Sequence, residues 1–179
     1  MITGGASGLG RAVAERVIAQ GGRAAILDLQ EAAGQSVATE IGACFFKCDV
    51  GVESQVVAAM AAAHQAMNGI NLLVNCAGVG GVGKLLGRDG PMSGDYFEKV
   101  VRVNLVGTFL CDKAAAALMR DNIPNPEGER GILVHTASVA AFEGATRETL
   151  ASRVMPMSRS ATMAVPGCSP APALVKLRE

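Results

Sequence analysis

One glycine-rich stretch near the start of the chain constrains the fold more than any other feature. Thr3-Gly-Gly-Ala-Ser-Gly-Leu-Gly10 follows two apolar residues and leads directly into residues 11–18, whose apolar side chains recur at helical spacing. This order predicts a strand, a tight turn and a helix. Glycine allows a sharp exit from the strand, a close approach of backbone to a ligand and close packing of helix on sheet. The exposed N–H groups that begin the helix would form an anion site.

The chain up to Gly144 then alternates between strand and helix patterns. Apolar runs predict further strands at residues 24–28, 43–48, 70–75 and 132–136, and helical spacing predicts helices at residues 31–41, 53–67 and 94–120. The last helix presents a predicted inward stripe of Phe97, Val101, Leu105 and Phe109. Strands without polar alternation are typical of parallel sheets covered on both faces. We therefore expect one α/β domain over residues 1–144, a doubly wound parallel sheet in the order 3-2-1-4-5.

Two further features distinguish the glycine turn from an ordinary strand-to-helix connection. Asp28 ends the second predicted strand, 18 positions after Gly10, and the strand–helix alternation continues beyond it. That combination is typical of a dinucleotide site. A second glycine-rich loop, at residues 76–83, follows the fourth predicted strand. Open α/β sheets bind their ligands at this carboxyl edge, so both loops indicate one small-molecule site.

Composition excludes several other classes of function. Lys and Arg total 16, as do Asp and Glu, so the chain has no charge excess for nucleic acid or an anionic membrane. The five cysteines form no Cys-x-x-Cys pair, which favours buried free thiols in a reducing compartment over disulfides or zinc, and no metal site is expected. No apolar run reaches membrane-spanning length and no signal segment opens the chain. We expect a cytoplasmic protein.

Both ends of the chain depart from this regular pattern. Beyond Gly144, prolines at positions 156, 166, 170 and 172 interrupt every period, so residues 145–179 are predicted to be an irregular or disordered tail. We interpret this tail as frame-shifted, the product of a frame slip in a GC-rich gene, with an alternative transcript or a diverged relative as alternatives. Only Met1 and Ile2 precede the glycine turn, against about five or six residues in an ordinary strand. The predicted sheet is therefore truncated at both ends, with a gap at its centre.

Six motifs, in this order and with suitable gaps, resemble those of the short-chain dehydrogenase/reductase family, whose members have a Rossmann-like fold. They are Thr3-Gly-Gly-Ala-Ser-Gly-Leu-Gly10, Asp28, Cys48-Asp-Val50, Asn75-Cys-Ala-Gly78, Val103-Asn-Leu105 and Thr136-Ala-Ser138. The wording of residues 128–131 and 136–144 is more narrowly similar to the type II 3-hydroxyacyl-CoA dehydrogenases, also called type 10 17β-hydroxysteroid dehydrogenases. The resemblance covers residues 1–144.

The resemblance implies NAD as cofactor and assigns roles to named residues. Asp28 would accept hydrogen bonds from the adenosine ribose and repel a 2′-phosphate, which favours NAD over NADP. Ser138 would bind the substrate carbonyl and Asn104 would belong to the proton relay. Intact relatives are homo-oligomers, which is doubtful for this chain. The residues implied to bind the cofactor are Gly4, Ser7, Gly8, Leu9, Gly10, Asp28, Asp49, Val50, Asn75, Ala77 and Gly78.

The general acid of such enzymes has no counterpart at the expected positions. The family's Tyr-x-x-x-Lys pair would fall on Ala151 and Met155, and the only tyrosine, Tyr96, is interpreted as a packing residue. The family is an NAD-dependent oxidoreductase family acting on a secondary alcohol or ketone, such as a 3-hydroxyacyl-CoA or a steroid-like alcohol. This chain is predicted to be inactive, and the alternative is a catalytically silent NAD-binding or interaction subunit. A flavodoxin-like binding module is disfavoured because Asp28 and Asn75-Cys-Ala-Gly78 suit a dinucleotide.

Overall fold

The computed structural model describes residues 1–80, 85–87, 90–138 and 173–177, the last group by its backbone alone. Its main sheet has the order β3-β2-β1-β4-β7-β8, and the first five of these strands are parallel. A short antiparallel hairpin, β5 with β6, stands apart from it. The strands are β1 Ile2–Thr3, β2 Ala25–Asp28, β3 Cys44–Lys47, β4 Leu72–Asn75, β5 Leu86–Gly87, β6 Gly90–Pro91, β7 Gly131–His135 and β8 Ala173–Leu177.

Helices cover both faces of the parallel strands, as the apolar runs predict. The helices are α1 Gly8–Ala19, α2 Glu31–Ile41, α3 Glu53–Met67, α4 Gly94–Val101 and α5 Thr108–Met119, with a π-helical turn at Arg102–Gly107 between the last two. One core cluster joins the sheet to α3 and α5, and the other joins it to α1 and α2. The predicted doubly wound arrangement and its strand order are therefore confirmed.

The central strand, β1, is only two residues long, yet it bridges both neighbours. Ile2 pairs with Ile26 of β2 and Val74 of β4, and Thr3 pairs with Leu27 and Asn75. These contacts lie at the carboxyl end of the sheet. Toward the other end of the sheet, a cavity of about 430 Å³ is lined by residues that include Met1, Ile2, Arg23, Ile70 and Leu72. The predicted gap in the sheet is thus confined to the edge opposite the two glycine-rich loops.

The prediction for the inward face of the last helix was wrong. Phe109 is 61% exposed, whereas Val100, Leu110, Cys111, Ala115 and Met119 are buried. The reason is the π-helical turn, which rotates the faces of α4 and α5 relative to one uniform α-helix. By contrast, the apolar residues of α3 that recur at helical spacing are all buried: Val56, Met60, Ala63 and Met67.

Part of the predicted irregular tail also differs. Residues Ala173–Leu177 form β8, which pairs antiparallel with β7 along its whole length, from Gly131 opposite Leu177 to His135 opposite Ala173. β7 is consequently not the sheet edge that the sequence predicts. Ala-Leu-Val-Lys-Leu is short but suited to a strand, and the open N–H and C=O groups of β7 offer it a template. The rest of residues 145–172 lies outside the described residues.

The four described cysteines carry free thiols, of which Cys48 and Cys111 are buried and Cys44 and Cys76 are half-buried. Burial, aided by Asp49, raises the pKa of Cys48 to about 11, and burial also raises the pKa of Cys76 and Cys111. These thiols are therefore weak nucleophiles at neutral pH. Within the described ranges, none of the helices is both long and apolar enough to cross a membrane.

Candidate functional site

A cleft of about 750 Å³ lies at the carboxyl edge of the parallel strands. Ten of the eleven residues predicted to bind the cofactor line it: Gly4, Ser7, Gly8, Leu9, Gly10, Asp28, Asp49, Val50, Ala77 and Gly78. The eleventh, Asn75, ends β4 and lies behind the cleft, where it is 5% exposed. The strand ends thus bring together motifs that are up to 74 residues apart in the chain, from Gly4 to Gly78.

Backbone atoms leave no room for side chains at two positions of the glycine turn. A Cβ at Gly10 would lie 2.2 Å from the carbonyl oxygen of Gly4, and one at Gly4, whose φ is +66°, would lie 2.7 Å from the backbone nitrogen of Ala77. Gly8 differs, because a Cβ there would meet no atom within 4 Å. Gly4 and Gly10 therefore serve close backbone packing, and Gly8 leaves open space at the lining of the cleft.

The first turn of α1 lines the cleft and carries no acidic side chain of its own. Ser7 precedes the helix in extended conformation, and its side chain makes no capping hydrogen bond. This fully described helix has no acidic residue in its first turn. Its N–H groups and the positive end of its dipole therefore fit a bound anionic group such as a diphosphate.

The carboxylate of Asp28 is held rigidly at the end of β2. Its Oδ2 accepts a hydrogen bond from Ala6 N (3.0 Å), and its Oδ1 accepts one from Gln30 N (2.9 Å). The residue is 9% exposed and lines the cleft. Each carboxylate oxygen has a second lone pair. Asp28 is thus oriented by the glycine turn and retains acceptor capacity for hydroxyl groups in the cleft.

The loop after β3 is shaped by Asp49 and packed against the π-helical turn. Asp49 Oδ1 accepts from Gly51 N at 2.9 Å, and Val50 contacts Gly107 so closely that a Cβ there would lie 2.8 Å from Val50 Cγ2. The aliphatic part of Arg102 packs on Gly51 in the same way. Arg102 and the nearby Lys99 line the cleft, and the sequence reasoning missed both.

The loop after β4 is fixed by two side chains from distant elements. Thr3 Oγ1 accepts from Cys76 N (3.2 Å) and Ala77 N (3.1 Å). Asn104, within the π-helical turn, accepts from Val79 N and donates to Val79 O, both at 2.9 Å. The amide predicted to serve a proton relay therefore holds the loop that lines the cleft. No sequence motif pointed to this role of Thr3.

A polar cluster of buried Asn75, half-buried Asp112 and buried His135 lies behind this loop. Asn75 Nδ2 donates to Asp112 Oδ1 at 2.8 Å and lies 3.2 Å from His135 Nδ1, while His135 Nε2 lies 3.6 Å from Asp112 Oδ2. Burial raises the pKa of Asp112, and His135 and the Asn75 hydrogen bond oppose that rise. No sequence pattern pointed to Asp112 or His135, because only the packing of α5 on β4 and β7 brings them together.

The remaining predicted residues are less completely placed. Ser138 is half-buried and follows β7, three residues after His135. Positions 151 and 155, where the family's acid and its lysine are expected, lie outside the described residues. Tyr96 lies in the first turn of α4, half-buried, and it is not among the residues that line the cleft.

Comparisons with known proteins agree with this geometry. A family model described as short chain dehydrogenase matches residues 1–150. The chain is 37% identical to 3-hydroxyacyl-CoA dehydrogenase type-2 of Drosophila melanogaster, over 97% of this chain and 73% of the fly protein. It is 41% identical to the proteins of that name from Bos taurus and Homo sapiens, over 80% of this chain and 57% of each relative.

A solved structure shows the same architecture. The crystal structure of 3-hydroxyacyl-CoA dehydrogenase type-2 from Mycobacterium avium matches with a TM-score of 0.77 and 35% sequence identity. The match covers 85% of this chain and 61% of that one. The chain therefore spans less than two thirds of that structure and of the mammalian relatives, and nearly three quarters of the fly protein.

Proposed function

Because the chain belongs to the short-chain dehydrogenase family, we propose that it binds NAD in the cleft at the carboxyl edge of its sheet. Its enzymatic relatives are oxidoreductases, and we infer descent from one that transfers hydride between NAD and a secondary alcohol or ketone. The names of its relatives favour a 3-hydroxyacyl-CoA as the substrate class. A steroid-like alcohol is the alternative substrate.

The observation that carries the proposal is the gathering of the glycine turn, Asp28, the Asp49–Val50 loop and the Ala77–Gly78 loop around one cleft. The start of α1 would take the diphosphate, Asp28 the adenosine ribose, and the loop after β3 the adenine. Bound NAD would supply the hydride acceptor. The open space beside Gly8 and the two fixed oxygens of Asp28 suit these roles.

Fewer residues are available to bind the substrate and to transfer a proton. Ser138, at the end of β7, would donate a hydrogen bond to the substrate carbonyl, and Asn104 would keep the loop after β4 in place through Val79. Ala151 and Met155 stand where the tyrosine and lysine of the family are expected, and neither side chain can carry a proton. We therefore expect binding without turnover. That same observation favours the second candidate, a catalytically silent NAD-binding or interaction subunit.

Cofactor titration tests the binding half of the proposal. NADH and NADPH are titrated against the full chain, and their fluorescence reports binding. We expect NADH to bind about 10- to 150-fold more tightly, because Asp28 accepts from the ribose hydroxyls and repels a 2′-phosphate. Asp28→Asn, which keeps the side chain's shape but loses its charge, should narrow this preference. Equal affinities for the unmodified chain would overturn the assignment of Asp28.

A turnover assay tests the catalytic half. The unmodified chain is purified from a host lacking any relative and is incubated with NAD and a 3-hydroxyacyl-CoA. Loss of general acid/base catalysis alone lowers rates by about 10²- to 10⁴-fold, so we expect no measurable NADH. A chimera that joins residues 1–144 to the carboxyl-terminal part of an active relative, with a full-length first strand restored, is the positive control. Activity of the unmodified chain would show that another group serves as the acid.

A further inference from the structure

A second, smaller cavity lies beneath the loop after β4. It has a volume of about 50 Å³ and is lined by polar residues, Asn75, Asn104, Thr108, His135 and Thr136, together with Ala77 and Gly78. The cavity shares Ala77 and Gly78 with the proposed NAD cleft, but Thr108, His135 and Thr136 have no role in the proposed binding of NAD. A single water molecule needs roughly 10–15 Å³ of such space, so the cavity is large enough for one to a few waters and too small for an organic ligand.

One buried polar atom beside this cavity lacks a partner. Asn75 is 5% exposed, and its Oδ1 accepts no hydrogen bond from any described residue. The opposite side of the same amide is occupied, since Nδ2 donates to Asp112 Oδ1 and faces His135 Nδ1. An ionised carboxylate only accepts, so Asp112 requires Nδ2 on its side and turns Oδ1 away from it. Buried polar atoms of this kind normally have a partner, often an ordered water.

The hydroxyl groups at the cavity supply further acceptors. Thr108 Oγ1 donates its hydrogen to Asn104 O at 2.8 Å, and Thr136 Oγ1 donates to Asn75 O at 2.9 Å. Both hydroxyl hydrogens are therefore used, and each oxygen keeps lone pairs that can accept. The side chain of Asn104 is already paired with Val79. The cavity thus offers three acceptor oxygens, a set that suits a small neutral molecule with two hydrogens to donate.

We propose that this cavity is an internal water site, in which a water molecule donates one hydrogen to Asn75 Oδ1 and the other to a threonine hydroxyl. Buried waters make about three hydrogen bonds on average, which this lining can provide. With Oδ1 paired, the amide of Asn75 is fixed in one orientation. Its Nδ2 then faces His135 Nδ1, which must accept, so the ring proton of His135 lies on Nε2, toward Asp112.

The water site and the histidine tautomer are independent of whether NAD binds, because every group involved belongs to the described chain. The water site nevertheless stabilises the structure behind the proposed cofactor cleft. Asn75 ends β4, and its carbonyl oxygen accepts from both the N–H and the hydroxyl of Thr136. The water, Asn75 and Asp112 therefore join the ends of β4 and β7 to α5, directly behind the loop that lines the cleft.

A crystal structure of the full chain without cofactor, at a resolution that places waters, tests the site. We expect an ordered water within hydrogen-bond distance of Asn75 Oδ1. Thr108→Val should weaken or remove it, whereas Thr39→Val is the matched control. Thr39 makes the same hydroxyl bond to the carbonyl four residues earlier, but on the exposed face of α2. An empty cavity in the unmodified chain, or an Asn75 amide with Oδ1 toward Asp112, would overturn the proposal.

Nitrogen chemical shifts provide a second and separate measurement. The chain has two histidines, His64 and His135, so a long-range ¹H–¹⁵N spectrum of the histidine-labelled protein contains two ring systems. His64→Gln assigns them. We expect the His135 ring to carry its proton on Nε2, and Asp112→Asn to lower the share of that tautomer. Asp121→Asn, which alters an exposed carboxylate, is the control. A His135 ring with its proton on Nδ1 in the unmodified chain would contradict the proposed network.

Discussion

The two sides of the cleft are built in different ways. On the β1–β2–β3 side, the critical contacts centre on the glycine turn: Gly10 packs on the backbone of Gly4, and the Asp28 carboxylate accepts from Ala6 N and Gln30 N. On the β4–β7 side, side chains from distant elements form the lining, as in the contact of Asn104 with Val79. The first side can therefore be recognised from a short stretch of sequence. The second depends on how α5 and the π-helical turn pack.

The π-helical turn is the element that contacts both sides. Gly107 and Arg102 pack on Val50 and Gly51 of the loop after β3, and Asn104 binds Val79 of the loop after β4. π-helical turns are rare in proteins as a whole, but those that occur are often at functional sites. Here the turn places Arg102 and Gly107 against the loop after β3 and Asn104 against the loop after β4. Substitutions in each half should therefore have separable effects.

The largest effect is expected in the glycine turn. Gly10→Ala places a Cβ 2.2 Å from the carbonyl oxygen of Gly4, a contact that only backbone movement can relieve. We expect the free energy of unfolding in urea to fall by about 3 kcal/mol or more. Gly80→Ala is the control, since a Cβ there meets no atom within 4 Å. Similar losses for the two variants would mean that the turn is not closely packed.

A smaller effect is expected where the π-helical turn meets the first side. Gly107→Ala would bring a Cβ to 2.8 Å from Val50 Cγ2, so we expect a loss of about 1–3 kcal/mol in urea unfolding. Val50→Ala removes the clashing methyl group. The double variant should therefore recover part of the stability that Gly107→Ala loses, which gives a favourable coupling energy. Simple additivity of the two substitutions would argue against this contact.

The second side should loosen without the first when Asn104 is replaced. Asn104→Ala removes both hydrogen bonds to Val79, and we expect a loss of about 1–2 kcal/mol together with faster hydrogen exchange at Val79 N–H. The Gly51 N–H, which Asp49 holds on the other side of the cleft, is the internal reference and should exchange as before. Equal acceleration at both amides would show that the two sides are not separable.

The smallest effect concerns the pH dependence of stability that comes from Asp112 in the polar cluster. Burial raises the pKa of Asp112 above its ordinary value of 3.8, so its stabilising contribution is present below that value and is lost as pH rises through the raised pKa. Relative to Asp112→Asn, the unmodified chain should therefore lose stability as pH rises through this range. Thermal unfolding at a series of pH values measures the difference.

The exposed Asp121 should have the opposite effect on the pH dependence of stability. Its hydrogen bond with Arg120 lowers its pKa, so any stability that it contributes is present above the ordinary value and is lost as pH falls. Asp121→Asn should therefore give a small trend opposite to that of Asp112→Asn. Parallel trends for the two variants would indicate that Asp112 is not desolvated in the folded chain.

Much of the fold followed from local patterns. Helices α2 and α3 begin and end where predicted, because Gly42 and Asn68 adopt left-handed backbone at their ends. The prediction of the inward residues of the last helix was wrong, because a uniform period of 3.6 residues does not anticipate a π-helical turn. The strand at Ala173–Leu177 was missed because its five residues form a strand only with β7 as a template.

The glycine turn, Asp28 as the acid ending β2, the strand order and the family could be predicted from the sequence, because they depend on backbone sterics and on motif spacing. The roles of Thr3, Asn104, Asp112 and His135 emerge only from the packed fold. Their partners lie 23 to 74 residues away, and a contact over such a separation leaves no periodic trace in the chain. Side-chain hydrogen bonds of this kind arise from the packing of whole elements, which local propensity does not encode.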